Sequence, residues 1–214
     1  MLINLDEQEQ IIIDIVKEYL KSNRCFKFKK ILPFIKSRFK RSSININNQG
    51  IELLLKSLLK KKIFVEGSKL NRDEVFLVPK RKRIYDYIVK NSGAYHQQIM
   101  DDLKIRSHVV VWHLKILLKF NFIKEAEINN CKIYFDLNLD LEKIKRNYYL
   151  KNKKSRKIIE YLKINNQGIT QTSLSANLGM HPSTIRKYIN YIELYGLIYK
   201  KILPNKILYF ISET

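Results

Sequence analysis

The chain has 214 residues, room for one large domain or two to three small ones that each bury a core. It carries 41 Lys and Arg against 20 Asp and Glu, a formal net charge of +21; an AT-rich coding bias raises Lys without removing acids, so the imbalance points to a polyanionic partner. Cys25 and Cys131 stand far apart without CxxC spacing, which argues against a disulfide framework or zinc site, and no apolar run nears the roughly 18 residues of a membrane span.

The amino terminus "MLINLDEQEQ" has no basic n-region, so the expectation is a cytoplasmic protein without membrane insertion. From there "DEQEQIIIDIVKEYLKSN" predicts a first helix, with Asp6 and Glu9 in capping-box spacing. "KKILPFIKSRFK" predicts a second, with Pro33 tolerable only in its first turn. "NNQGIELLLKSLLKKK" supplies a third, lined by Gln49, Glu52, Lys56 and Lys60, and "IFVEGSKLNRDEVFLV" predicts a two-stranded wing with its tip from Lys69 to Glu74.

The next stretch poses a conflict. In "RSHVVVWHLKIL", three valines and a tryptophan favour a buried strand. Offset by 75 residues, however, the chain registers against itself without a gap: Arg81, Lys82, Ile84, Gly93, Leu103, Ile123, Asn130, Tyr134 and Phe135 meet identical residues at Arg156, Lys157, Ile159, Gly168, Leu178, Ile198, Asn205, Tyr209 and Phe210. The valine run then lies opposite "STIRKYINYI", whose Ile185, Ile189 and Ile192 fall on one helix face, as do Val110, Leu114 and Leu117. A helix is therefore predicted, with tertiary burial overriding local β-propensity.

Both copies read alike. A first helix ends at Gly93 or Gly168 as a left-handed cap, a short second and a longer third helix follow, and after Asn121 or Gly196 two strands turn at Asn129-Asn130 or Pro204-Asn205. The expected fold class is α+β, mostly α: three tandem winged helix-turn-helix domains, each three helices plus a two-stranded β-hairpin wing. Their bounds are 1–79 (divergent), 80–136 and 154–214, with 137–153 a connecting helix or basic linker.

"DDLKIRSHVVVWHLKILLKFNFI" and "ANLGMHPSTIRKYINYIELYGLI" resemble winged-helix regulators of the ArsR/MarR-like type, particularly the tandem archaeal ones. The shared features are a small helix ending in Leu, a turn, a third helix with Val or Ile then Leu, and "NFI" or "GLI" leading into the wing. The resemblance implies a transcriptional regulator that binds double-stranded DNA, with the third helix in the major groove and the wing on the backbone or minor groove. Carried over, the groove-facing residues of the last copy are Ser183, Arg186, Lys187 and Asn190, and Lys200, Lys201 and Lys206 make its wing basic. Arg suits guanine, Asn adenine, and Ser and Lys phosphates. The middle copy offers Arg106, Ser107, His108 and Lys115 to DNA, whereas Val111 and Trp112, turned from the core face, are expected at an interface with a neighbouring domain or second subunit.

Two departures stand out. Arg106 and His181 open the third helices where the family has Ser or Asn, leaving Ser107 as an alternative cap and Pro182 at the first helical position. Glu52 would repel phosphate, which suits the first domain to assembly. The rival reading is a winged-helix adaptor of an ESCRT-II-like or polymerase-associated assembly, and a second copy or the transcription machinery are the protein partners left open. No Gly-rich phosphate loop, HExxH or GxSxG occurs, so neither an enzyme nor a cofactor is expected. His108, His113 and Cys131 match no compact metal spacing, Asp101 and Asp102 make a poor acid/base pair, and His113 is expected to find a backbone or water partner.

Overall fold

The computed structural model describes residues 6–40 and 46–212, so the first five of the ten residues read for an amino-terminal leader fall outside it. The chain divides into two compact units, Met1–Leu137 and Asn138–Thr214. Both combine helices with small antiparallel sheets, and among the described residues no helix is long and apolar enough to cross a membrane.

In the first unit α1 (Glu7–Ser22), α2 (Phe28–Lys40) and α3 (Asn48–Lys60) enclose one core of Ile12, Val16, Ile31, Ile35, Leu55 and Leu58. The capping box forms: Asp6 accepts from the Glu9 N–H and Glu9 reaches back to the Asp6 N–H. Glu9 is itself buried, and its carboxylate takes Lys61 Nζ at 2.6 Å and Ser57 Oγ at 2.8 Å. Burial raises its pKa, but those hydrogen bonds outweigh it and the net direction is down. Pro33 corrects the sequence reading, because α2 begins at Phe28 and the proline lies beyond the first turn. It is tolerated there because Pro33 and Lys29, whose carbonyl loses its partner, are both exposed to water.

The predicted first wing is not a hairpin. A single bridge joins Phe64 to Asn71, and the backbone between them pairs instead with Phe26, whose N–H donates to Ser68 O and whose carbonyl accepts from Gly67. Asn71 explains the lost strand: its Oδ1 accepts from the Asp73 and Glu74 N–H groups at 2.9 and 3.1 Å, an Asx arrangement that starts a 3-10 turn over Asp73–Leu77. The expected boundary at 79 and 80 lies inside this unit, and Val65 and Val75 are buried with the helices that follow.

Those helices are α4 (Pro79–Lys90), α5 (His96–Leu103) and α6 (Ser107–Lys119), with a sheet of β1 (Ala94–Tyr95), β2 (Ile123–Ile128) and β3 (Cys131–Asp136) in the order β1-β3-β2. The valine run is helical, and Val110, Leu114 and Leu117 are buried. Asn129 and Asn130 both adopt positive φ at the β2–β3 turn, where the hairpin twist needs it.

The second unit holds α7 (Leu141–Lys151), α8 (Lys153–Ile164), α9 (Gln171–Leu178), α10 (Pro182–Leu194), β4 (Ile198–Leu203) and β5 (Lys206–Ile211). From α5 onward each element of 96–136 has a counterpart 75 residues later, down to the bridge Ala94 to Tyr134 against Ile169 to Tyr209. The first helices break that register. Arg81, Ile84 and Ile88 are the buried positions of α4, and Ser155, Ile158 and Leu162 those of α8, an offset of 74. The Asn91 side chain donates to Tyr87 O just as Asn165 donates to Tyr161 O. The second copy thus carries one more residue between this helix and Gly168, and the identities Arg81/Arg156, Lys82/Lys157 and Ile84/Ile159 pair residues on different faces. The glycines are also displaced from the expected cap: the helices end at Asn91 and Asn165, and Gly93 and Gly168 take positive φ beyond them. A Cβ on Gly168 would meet Phe210 Cζ at 2.3 Å.

Candidate nucleic-acid interface

Helix α10 buries Ile185, Tyr188, Ile189 and Ile192. That choice of inward face turns Ser183, Arg186, Lys187 and Asn190 outward, all four exposed. Its start is capped by the residue that departs from the family pattern: His181 Nδ1 accepts from the Ser183 N–H at 3.3 Å and lies 2.7 Å from Ser183 Oγ, with Pro182 at the first turn. The Ser183 hydroxyl is therefore committed to the cap as well as placed on the outer face. Arg186 and Lys187 form no salt bridge among the described residues.

The β4–β5 hairpin is basic but not uniformly free. Lys200 lies 2.9 Å from Glu193 of α10, and this hydrogen bond raises its pKa. Lys201 and Lys206 are exposed and unpaired among the described residues. Lys206 stands at an open cleft of about 340 Å³ shared by Gln171 and Thr172 of α9 with Asn205 and Ile207 of the β4–β5 hairpin. Lys206 and the start of α9 thus face one space.

The equivalent face of α6 differs in kind. His108 and Lys115 are exposed, Val111 is 38% and Trp112 54% exposed. Ser107 does not cap α6. The N-cap position is Arg106, which makes no side-chain cap bond, and Ser107 Oγ lies 3.4 Å from His96 Nε2 instead. On the hairpin, Glu125, opposite Lys200 of the last copy, is held by Lys132 at 3.3 Å, and Glu127, opposite Ile202, is exposed, so the two strands are less cationic than β4 and β5. Helix α3 of the first unit is not acidic in effect, because Lys36 of α2 neutralises Glu52 at 3.3 Å.

Trp112 has an intramolecular task that sequence reasoning missed. Arg81 is 1% exposed and, among the described residues, has no carboxylate as a hydrogen-bond or ion-pair partner. Its Nη1 donates to Val75 O at 2.7 Å and its Nε to His113 Nδ1 at 3.4 Å, while the guanidinium lies 5.2 Å from the Trp112 ring centre. The indole thus screens a desolvated cation with its π-face. His113, expected to have a backbone or water partner, accepts from Arg81 instead. Burial first, then the charges of Arg81 and Lys80, push its pKa down to about 4, so its Nδ1 is an acceptor at neutral pH. At the corresponding places the second unit has Ser155, whose Oγ is buried without a partner, and Tyr188. Among the described residues no three His, Cys, Asp or Glu converge as metal ligands would.

No protein-family model matches the chain. Over 163 residues, 75% of its length, the chain is 29% identical to a protein of Methanocaldococcus jannaschii named as an uncharacterized HTH-type transcriptional regulator. It spans 41% of that protein's length.

Proposed function

We propose that this chain is a double-stranded DNA-binding regulator of the helix-turn-helix class, reading sequence with α10 in the major groove and holding phosphates with the β4–β5 wing. The observation that carries the reading is the outer face of α10, where Arg186, Lys187 and Asn190 stand together, exposed and without a carboxylate on either cation. Arg and Asn are the side chains that pair bidentately with guanine and adenine edges, and Lys187, Lys201 and Lys206 supply charge for the backbone. The net charge of +21 and the name of the archaeal relative support the same class.

In this reading residues 80–136 and 154–214 are winged helices and 1–79 a divergent one that has exchanged its hairpin for a 3-10 turn. Helix α6 does not read bases. Val111 offers only an apolar contact, Trp112 is occupied with Arg81, and Glu127 opposes phosphate; Arg106, Ser107, His108 and Lys115 add backbone contacts at most. The exposed Val111 favours a second role for this helix as a protein contact, with a second copy or the transcription machinery. If two copies bind together, their half-sites lie about 10 bp apart.

Selection of a randomised duplex library by the purified chain at about 0.15 M salt tests the reading. An enriched motif is the expected result. Retention without enrichment would leave only non-specific binding, and no retention would overturn DNA binding in favour of the adaptor role of α6.

A further inference from the structure

We propose that α7 and α8 form a second, sequence-independent nucleic-acid surface, a basic ridge that holds duplex DNA by its phosphates beside the reading helix. The inference rests on the DNA-binding reading of α10 but uses none of its groove-facing residues. Arg146 and Lys151 of α7 and Lys153, Lys154, Arg156 and Lys157 of α8 are all exposed, and among the described residues none of them forms a salt bridge.

Their placement opposes ordinary helix electrostatics. Four of the six occupy the start of α8, where the N–H groups already give the helix a positive end and an acid is favoured, yet the first turn has no acid. Helices α2 and α4 also start with lysines and no acid, whereas α1 begins with Glu7 and Glu9; what sets α8 apart is that its basic start adjoins Arg146 and Lys151 of α7. A cluster that repels itself and the helix end is stabilised when a polyanion binds, and phosphates provide that without reading bases.

The ridge is also fixed to the reader. Tyr149 of α7 is buried and stacks on Tyr191 of α10 with ring centres 3.8 Å apart, and Tyr195 of α10 donates to Glu142 at 3.3 Å. Burial, followed by the hydrogen bond its hydroxyl donates to Tyr191, keeps the Tyr149 hydroxyl protonated. Ile144, Ile158 and Leu162 are spent inside the unit, and Ile164, 81% exposed, is a single apolar residue at the far end of α8 from the basic start. The ridge therefore offers charge without the apolar face that inserts into a lipid surface, which favours nucleic-acid phosphate over a membrane.

The full-length chain with Lys153→Gln, Lys154→Gln, Arg156→Gln and Lys157→Gln tests this, using the library-selected duplex and a scrambled one across a salt series. Affinity for both duplexes should fall together, roughly tenfold to a hundredfold at about 0.15 M salt, and the log–log salt slope should drop by about 3 to 4, near 0.9 for each phosphate contact. Lys153→Gln with Arg156→Gln alone should give about half that drop. A slope and affinities equal to wild type in both variants would overturn the ridge. Arg186→Ala with Asn190→Ala separates the two claims: if it still discriminates while the ridge variants lose slope, groove reading by α10 fails and the ridge stands, and the reverse pattern removes only the ridge. A wild-type chain that binds neither duplex overturns both. Tighter binding to phosphatidylserine vesicles than to DNA, lost in the ridge variants, would also overturn the nucleic-acid assignment.

Discussion

Truncating Arg81 to alanine should destabilise the first unit by about 3 kcal/mol. The side chain is almost wholly buried, so its loss leaves a cavity of the kind that costs about 2–5 kcal/mol for a large side chain. The Val75 carbonyl loses its 2.7 Å donor, a further 1–3 kcal/mol or so for a buried acceptor. Against these stands relief of the desolvated guanidinium, whose burial already lowers its pKa. For a chain of this size about 3 kcal/mol is roughly 6–12 °C in melting temperature. Arg81→Met keeps most of the volume and removes the charge, so it should cost less than half as much. Trp112→Ala, which uncovers the cation to water, should cost only about 0.5–1 kcal/mol. Thermal unfolding followed by circular dichroism measures all three. Equal melting temperatures for Arg81→Ala and wild type, or a larger loss for Trp112→Ala than for Arg81→Ala, would refute the view that the guanidinium is the anchor and the indole its cover.

The same cluster sets a pH dependence. His113 is neutral in the fold with a pKa of about 4 against an ordinary 6.5, so the unfolded chain binds the proton first. Its contribution is complete above pH 6.5, declines as pH falls through that value and levels off near 4, a loss of about 3 kcal/mol. His113→Leu should flatten that part of a denaturant-midpoint profile, and an unchanged slope between pH 6.5 and 4 would contradict it. Glycine substitutions should separate crowding from backbone strain. Gly196→Ala, with φ +71 and open space, should cost about 1 kcal/mol, and Gly168→Ala, with φ +80 and Phe210 in the way, at least twice that by chemical denaturation. In duplex-binding titrations Lys201→Ala with Lys206→Ala should weaken all sequences alike and lower the salt slope by about 2. Lys200→Ala should do less, because Glu193 already holds that charge.

Much of this architecture is legible in the residues, and the exceptions have physical causes. The valine run reads as a helix because its second copy carries an unambiguous helical period, and the outward positions of α10 follow from the inward isoleucines. The false register of α4 and α8 arises because Arg81, Lys82 and Ile84 meet identical types one position away from their structural partners, and a one-residue loop difference leaves no trace in composition. The missing first wing turns on Asn71, whose side chain competes with the ladder for two backbone donors. Arg81, Trp112 and His113 meet only in three dimensions, and an exposed tryptophan reads from sequence as an interface because the buried cation beneath it is invisible. The pairing of Lys200 with Glu193 is hidden for the same reason: a wing lysine looks free until the helix beside it is placed.

The assignment of α10 as the reader is tested most directly by running the duplex selection in parallel with wild type and with Arg186→Ala plus Asn190→Ala. Both residues are exposed, so the variant should melt as wild type does. Wild type is expected to enrich a motif that is lost or degenerate at one or more base pairs for the variant, with retention on random DNA largely kept, because each bidentate contact discriminates by about 1–3 kcal/mol. The same motif enriched to the same degree by both proteins would contradict it.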